Sequence, residues 1–160
     1  MTIKVGDKIP AGGLAVMTAD GPSPVSTTDY FAGRKIVIFS VPGAFTPTCS
    51  AKHLPGFVES IEAFKAKGVD ELACYAVNDV FVMDAWGKSA DAGGKVTMLA
   101  DGNGDFTDSL GLAMDASGFG MGKRSKRFSM IVDDGTVTEL NIEEPGAFQV
   151  SSAEHALSQL

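Results

Sequence analysis

Val41-Pro42-Gly43-Ala44-Phe45-Thr46-Pro47-Thr48-Cys49-Ser50 decides how the rest of this chain is read. Before it runs Lys35-Ile36-Val37-Ile38-Phe39-Ser40, apolar throughout its centre, which predicts a buried strand over 35–41. After it Leu54, Phe57, Val58, Ile61 and Phe64 recur at helical spacing, which predicts an amphipathic helix ending at Gly68. Cys49 therefore sits where a strand hands over to a helix. The unpaired N–H groups and dipole of a helix start favour an anion there, so this position suits a thiolate. Pro42 and Pro47 stiffen the approach and remove two backbone donors. Thr46, three residues before Cys49, can turn its hydroxyl toward the sulfur or toward a bound oxygen, and Thr46 or Thr48 can cap the helix. Gly43 and Ala44 are small enough to let a ligand approach backbone N–H groups.

Working outward, residues 1–33 are rich in Gly, Pro, Thr and Asp, with an apolar alternation at Leu14-Ala15-Val16-Met17 that predicts a small hairpin before the main fold. Val69–Val77 and Lys95–Ala100 read as two further core strands, separated by a helix over 79–90 capped by Asn78 or Asp79. Pro55 predicts a kink or restart in the helix after Cys49. Asp101-Gly102-Asn103-Gly104-Asp105 has the look of a calcium loop but lacks the bidentate Glu, so it reads as a turn. Asp105 or Thr107 can cap a short helix through Leu110. Residues 113–126 read as a loop or irregular helix. Phe128–Val132 and Val137–Ile142 flank Asp133-Asp134-Gly135, a hairpin signal. Ser151 or Ser152 caps a final helix. Strands alternating with helices and ending in a hairpin and a helix give one α/β domain over 1–160, with a mixed central sheet.

Bulk composition narrows the function. Apolar residues make up 44% and charged residues 21% of 160 positions, as in a soluble globular domain. A net charge of −7 argues against a nucleic-acid footprint or attraction to an anionic membrane. No run approaches the ~20 apolar residues of a membrane span, and Met1–Asp7 shows no leader character. Two cysteines do not make a secreted disulfide scaffold, so a reducing cytoplasm is expected. His53 and His155 have no zinc-ligand spacing with them.

Pro42, Thr46 and Cys49 match the Pro-x-x-x-Thr-x-x-Cys signature of peroxiredoxins. The fuller wording, with His53-Leu54-Pro55-Gly56-Phe57, resembles the type II branch, also called the peroxiredoxin 5 subfamily. The resemblance returns at residues 77–86, 99–102 and 124–130 and covers nearly the whole chain. It implies a thioredoxin-like fold with an N-terminal hairpin extension. It also implies a thiol peroxidase that reduces hydrogen peroxide and organic hydroperoxides, with electrons from glutaredoxin and glutathione or from thioredoxin. No metal, haem or flavin is implied, because sulfur carries the redox change.

By the same resemblance Cys49 is the peroxidatic residue, Thr46 its hydrogen-bond partner and Pro42 its shield from water. Arg127 is the cation beside it; spacing alone leaves Arg124 and Lys123 equal candidates. Cys74 lies on a strand face with Leu72 and Ala76. It reads either as a small buried hydrophobe or, as the resemblance favours, as the thiol that resolves the sulfenic acid. Phe45 and the loop Gly118-Phe119-Gly120-Met121-Gly122 are candidates for a homodimer contact. His53, one helical turn after Cys49, invites a cysteine–histidine hydrolase reading, but local packing or capping is the simpler expectation. A peroxide-sensing switch without sustained turnover is the alternative from another functional class.

Overall fold

A computed structural model describes residues 1–160. Three strands supply its centre: β3 (Lys35–Ser40), β4 (Glu71–Ala76) and β5 (Val96–Ala100), which run parallel. The N-terminal hairpin, β1 (Gly13–Thr18) and β2 (Gly21–Ser26), joins the β5 edge through Ala15 opposite Ala100. On the other side β8 (Phe128–Asp133) and β9 (Thr136–Ile142) pair antiparallel, giving the order β2-β1-β5-β4-β3-β8-β9. The sheet is therefore mixed and extended by the hairpin, as expected.

Alternation along each strand divides the core. Val37, Phe39, Leu72, Cys74 and Ala76 face one apolar cluster, which α2 (Leu54–Glu59), α3 (Ile61–Ala66), α4 (Val80–Ser89) and α6 (Ala153–Ser158) cover. Ile36, Ile38, Ala73 and Tyr75 face the other, under α1 (Thr27–Phe31) and α5 (Asp105–Leu110). Both faces being buried explains why these strands read as unbroken apolar runs. No helix is long and apolar enough to cross a membrane.

Local signals behave as their chemistry dictates. Asp134 and Gly135, at φ 48° and 78°, form the two-residue β8–β9 turn. Asp79 caps α4 by accepting from Val82 N, and Ser152 caps α6 by accepting from His155 N. Other expectations are corrected. The start of α5 is held by neither Asp105 nor Thr107 but by Asp101, whose buried carboxylate accepts from Phe106 N, Thr107 N and the Thr107 hydroxyl. Residues 113–126 are not a plain loop: β6 (Ala113–Asp115) and β7 (Lys123–Ser125) form a small hairpin around a single 3₁₀ turn, Ser117–Phe119. Periodicity is invisible in strands of three residues. The helix after Cys49 also breaks at Ser60, ahead of Gly68.

Register places the site. Ser40 lies opposite Tyr75 on β4 and Phe128 on β8. The residues just past Ser40, just past β4 and just before β8 therefore meet at one edge: Val41-Pro42, Val77-Asn78 and Arg127. This is the carboxyl end of the parallel strands, where open α/β sheets place their sites.

Candidate active site

Leaving β3, the chain turns through Phe45, whose φ of 64° is left-handed and uncommon for a bulky residue. Helical conformation begins at Pro47, where the missing N–H costs nothing. Thr46 takes the cap position by its backbone, with its carbonyl accepting from Ser50 N at 2.9 Å. Thr48 is already helical and caps nothing. The Thr46 hydroxyl faces inward, 2.8 Å from Cys49 Sγ and 2.7 Å from Gly43 O. One hydroxyl has one proton, so the two contacts alternate with the sulfur's state. A thiol donates to Thr46 Oγ1 while Thr46 donates to Gly43 O; a thiolate receives the Thr46 proton itself.

Residues Cys49–His53 form a π-turn, with Leu54 N bonded to Cys49 O, before the α-helix resumes at Leu54. Pro55 is the reason. It has no N–H to give to the carbonyl four residues back, and its ring crowds that carbonyl, so the turn widens by one residue. The kink expected at Pro55 thus takes effect upstream, at the cysteine.

Arg127 reaches Cys49 from the opposite wall. Its Nη2 donates to Sγ at 3.0 Å and its Nη1 to His53 Nδ1 at 2.7 Å. Arginine cannot accept, so Nδ1 is bare, and Nε2 carries the hydrogen that goes to Ser151 O at 2.8 Å. The imidazole lies between Phe39 and Phe148, with ring centroids 4.7 and 4.9 Å away, and is fully buried. Burial, with the Arg127 charge beside it, lowers its pKa to about 3, so it is neutral at any working pH.

Cys49, Thr46 and Arg127 are thus brought together. Pro42, half-buried in the same loop, accepts from Arg124 Nη1 at 3.5 Å through its carbonyl. Arg124 is occupied by that carbonyl and by Met121 O, and Lys123 pairs with Asp108 at 2.6 Å, so neither of the competing cations contacts the sulfur. The expected room over Gly43 and Ala44 is filled. Ala44 N donates to Asn78 Oδ1, while Arg124, Met121 and Thr46 crowd within 3.1–3.2 Å of where a Gly43 Cβ would stand. Cys74 is wholly buried on β4, a free thiol in the same apolar cluster as Cys49. Desolvation, then the nearby Cys49, push its pKa well up, so it is a neutral thiol where it stands.

Three residues escaped the sequence reading in their roles: His53 as the partner of Arg127, Asn78 as the brace of the cysteine loop, and Ser125. Ser125 accepts from Ser40 at 2.7 Å and lies 3.2 Å from the Tyr75 hydroxyl, anchoring the segment before Arg127 to the strand that leads to Pro42. Only the spacing of His53 from Cys49 offered a signal. The hydrolase arrangement is absent, since both His53 nitrogens are committed elsewhere. Two surface clefts, of about 560 and 420 Å³, do not contain Cys49. Cys49 has no exposed surface.

Comparison with known proteins gives the chain its relatives. The Redoxin family profile matches residues 4–157. Peroxiredoxin-2B of Arabidopsis thaliana is 48% identical over 99% of this chain and 98% of its own. The chloroplastic Peroxiredoxin-2E-2 of rice, Oryza sativa subsp. japonica, is 52% identical over 99% of this chain and 73% of its own. The crystal structure of reduced Prx3 from Vibrio vulnificus in complex with H₂O₂ superposes with a TM-score of 0.96 at 49% identity, covering 99% of each chain.

Proposed function

Because the chain belongs to the peroxiredoxins, in their type II branch, it is a thiol-dependent peroxidase and an antioxidant enzyme, and on that premise we propose that Cys49 is its peroxidatic sulfur, with Thr46, Pro42 and Arg127 completing the site. The observation that carries this is the convergence of the Thr46 hydroxyl and the Arg127 guanidinium on one buried sulfur. Both donors favour the anion. The thiolate attacks one peroxide oxygen. An S–O bond forms as the O–O bond breaks, and hydroxide or alkoxide leaves to take a proton. The peroxide is reduced by two electrons and the sulfur is oxidised to sulfenic acid. Arg127 and Thr46 are placed to stabilise charge moving onto the leaving oxygen. Pro42 stands at the rim and limits water.

The substrates are hydrogen peroxide and small alkyl hydroperoxides, a choice supported by the complete burial of Cys49, which disfavours bulky substrates, and by the H₂O₂ in complex with the Vibrio relative. Cys74 resolves the sulfenic acid as the π-turn unwinds, and glutaredoxin with glutathione or thioredoxin reduces the product. A homodimer forms around Phe45 and Phe119, which expose 54% and 86% of their surface. The compartment is a reducing cytoplasm; the rice relative is chloroplastic, and fractionation of the host cell decides between the two.

Peroxide consumption by the wild type, Cys49→Ser and Cys74→Ser, each supplied in turn with thioredoxin and glutaredoxin systems, tests the reading. Cys49→Ser is expected to be inert. Undiminished consumption by it would overturn the assignment, and a single stoichiometric event in the wild type would favour the sensor. Peptide mass spectrometry after one equivalent of peroxide should find a Cys49–Cys74 link; its absence makes the cycle a one-cysteine cycle.

A further inference from the structure

We propose that Glu143, a buried carboxylate outside the peroxide site, is a positioning residue that fixes Arg127 through Ser151 and His53. It deepens the assignment of Cys49 and Arg127 and rests on it. Glu143 follows β9 and is 7% exposed, with no ion-pair partner. Its Oε2 accepts three hydrogen bonds: from Gln149 N at 2.7 Å, Ser151 N at 2.8 Å and Ser151 Oγ at 2.7 Å. Its own N–H donates to Arg127 O at 3.0 Å. One residue therefore grips the backbone of Arg127 and folds the 143–151 loop back on itself. Burial pushes the Glu143 pKa up, but the bonds from Ser151 and Gln149 outweigh it and hold the carboxyl below its usual range.

The fold of that loop determines a proton position. It aims Ser151 O at His53 Nε2, and a carbonyl can only accept. His53 is thereby held in the Nε2–H form, which leaves Nδ1 bare toward Arg127 Nη1. With Ser151 O withdrawn, the buried Nε2–H loses its acceptor, and the imidazole is free to turn away from Arg127 Nη1 to find another. Arg127 then loses one of the two bonds that aim its Nη2 at Cys49 Sγ. Phe148, in the same loop, lies 5.9 Å from the guanidinium carbon and forms a second wall that moves with it.

The test is carried out in a Cys74→Ser background, so that only Cys49 is alkylated. Glu143→Ala is expected to slow the reaction with hydrogen peroxide about 10-fold, as a misaimed group does. It should also move the pH profile of iodoacetamide alkylation of Cys49 to higher pH. Glu143→Gln keeps an acceptor oxygen and should restore most of both. In an Arg127→Ala background Glu143→Ala should add no further loss, since residues acting through one another are not additive. Ser151→Ala, which removes one of the three bonds and keeps the carbonyl, should shift both readouts the same way but less, and it serves where Glu143→Ala does not fold. Folded Glu143→Ala, or Ser151→Ala in its place, with a wild-type rate and profile overturns the proposal. So does an equal loss from either in the Arg127→Ala background. Activity surviving in Cys49→Ser would sink the underlying assignment instead, which keeps the two failures separate.

Discussion

At the scale of single residues, the site is an arrangement of donors around one sulfur, and its sensitivity follows from counting them. Arg127→Ala removes the only cation bonded to Cys49 and should lower the second-order rate with peroxide by about 100-fold. Alkylation of Cys49 at neutral pH should slow in parallel; an unchanged rate would show that Arg127 is a bystander. His53 makes a different prediction. Its pKa of about 3 in the fold lies below the unfolded value near 6.5, so the unfolded chain binds the extra proton first. The stability it contributes is complete above about pH 6.5 and falls as pH drops toward 3. Glu143, also held below its usual range, begins to act only below about pH 4.5, so the loss between pH 6.5 and 4.5 belongs to His53. Urea midpoints across that interval should decline in the wild type and stay flat in His53→Asn. Of these residues Cys49, Thr46 and Arg127 were legible in the sequence through the family wording. Spacing alone could not separate Arg127 from Arg124 or Lys123, because what separates them is the register of β8 against β3.

Among the elements, the π-turn at Cys49–His53 has the most to test. Pro55→Ala returns a donor to the helix and lets the segment relax toward regular α-geometry. The expected outcome is a melting temperature equal to or above the wild type with a clearly reduced peroxide rate, because Cys49 and His53 rotate away from Arg127 together. A faster or unchanged rate would show that the widened turn is incidental. Long elements were readable: β3, β4, β5, α4 and the β8–β9 hairpin lie within a few residues of where pattern and caps put them. α1 and the β6–β7 hairpin were not, since five and three residues are too few to show a period. The π-turn was half-readable. Pro55 announced an irregularity, but the widened turn lies N-terminal to it, because a proline disturbs the carbonyl one turn earlier.

For the whole molecule, the two loops at the site edge present Phe45 and Phe119 to solvent beside a sheet whose two core faces are both covered. If they meet a second copy, Phe119→Asp should shift sedimentation from dimer to monomer at micromolar concentration, and a wild type monomeric at the same concentration would dismiss that contact. The acidic surface, with its net charge of −7, needs no further partner to explain it. Trp86 is tied to the segment that carries Cys49. It is the only tryptophan, sits on α4 in the core, and donates its indole N–H to Ser50 Oγ at 3.0 Å, one residue from the sulfur. Unwinding of the Cys49 segment must break that bond and wet the ring. The protein therefore carries its own optical clock: if Cys74 reaches Cys49 as proposed, a red shift in its fluorescence after a peroxide pulse would time that opening, with no added dye.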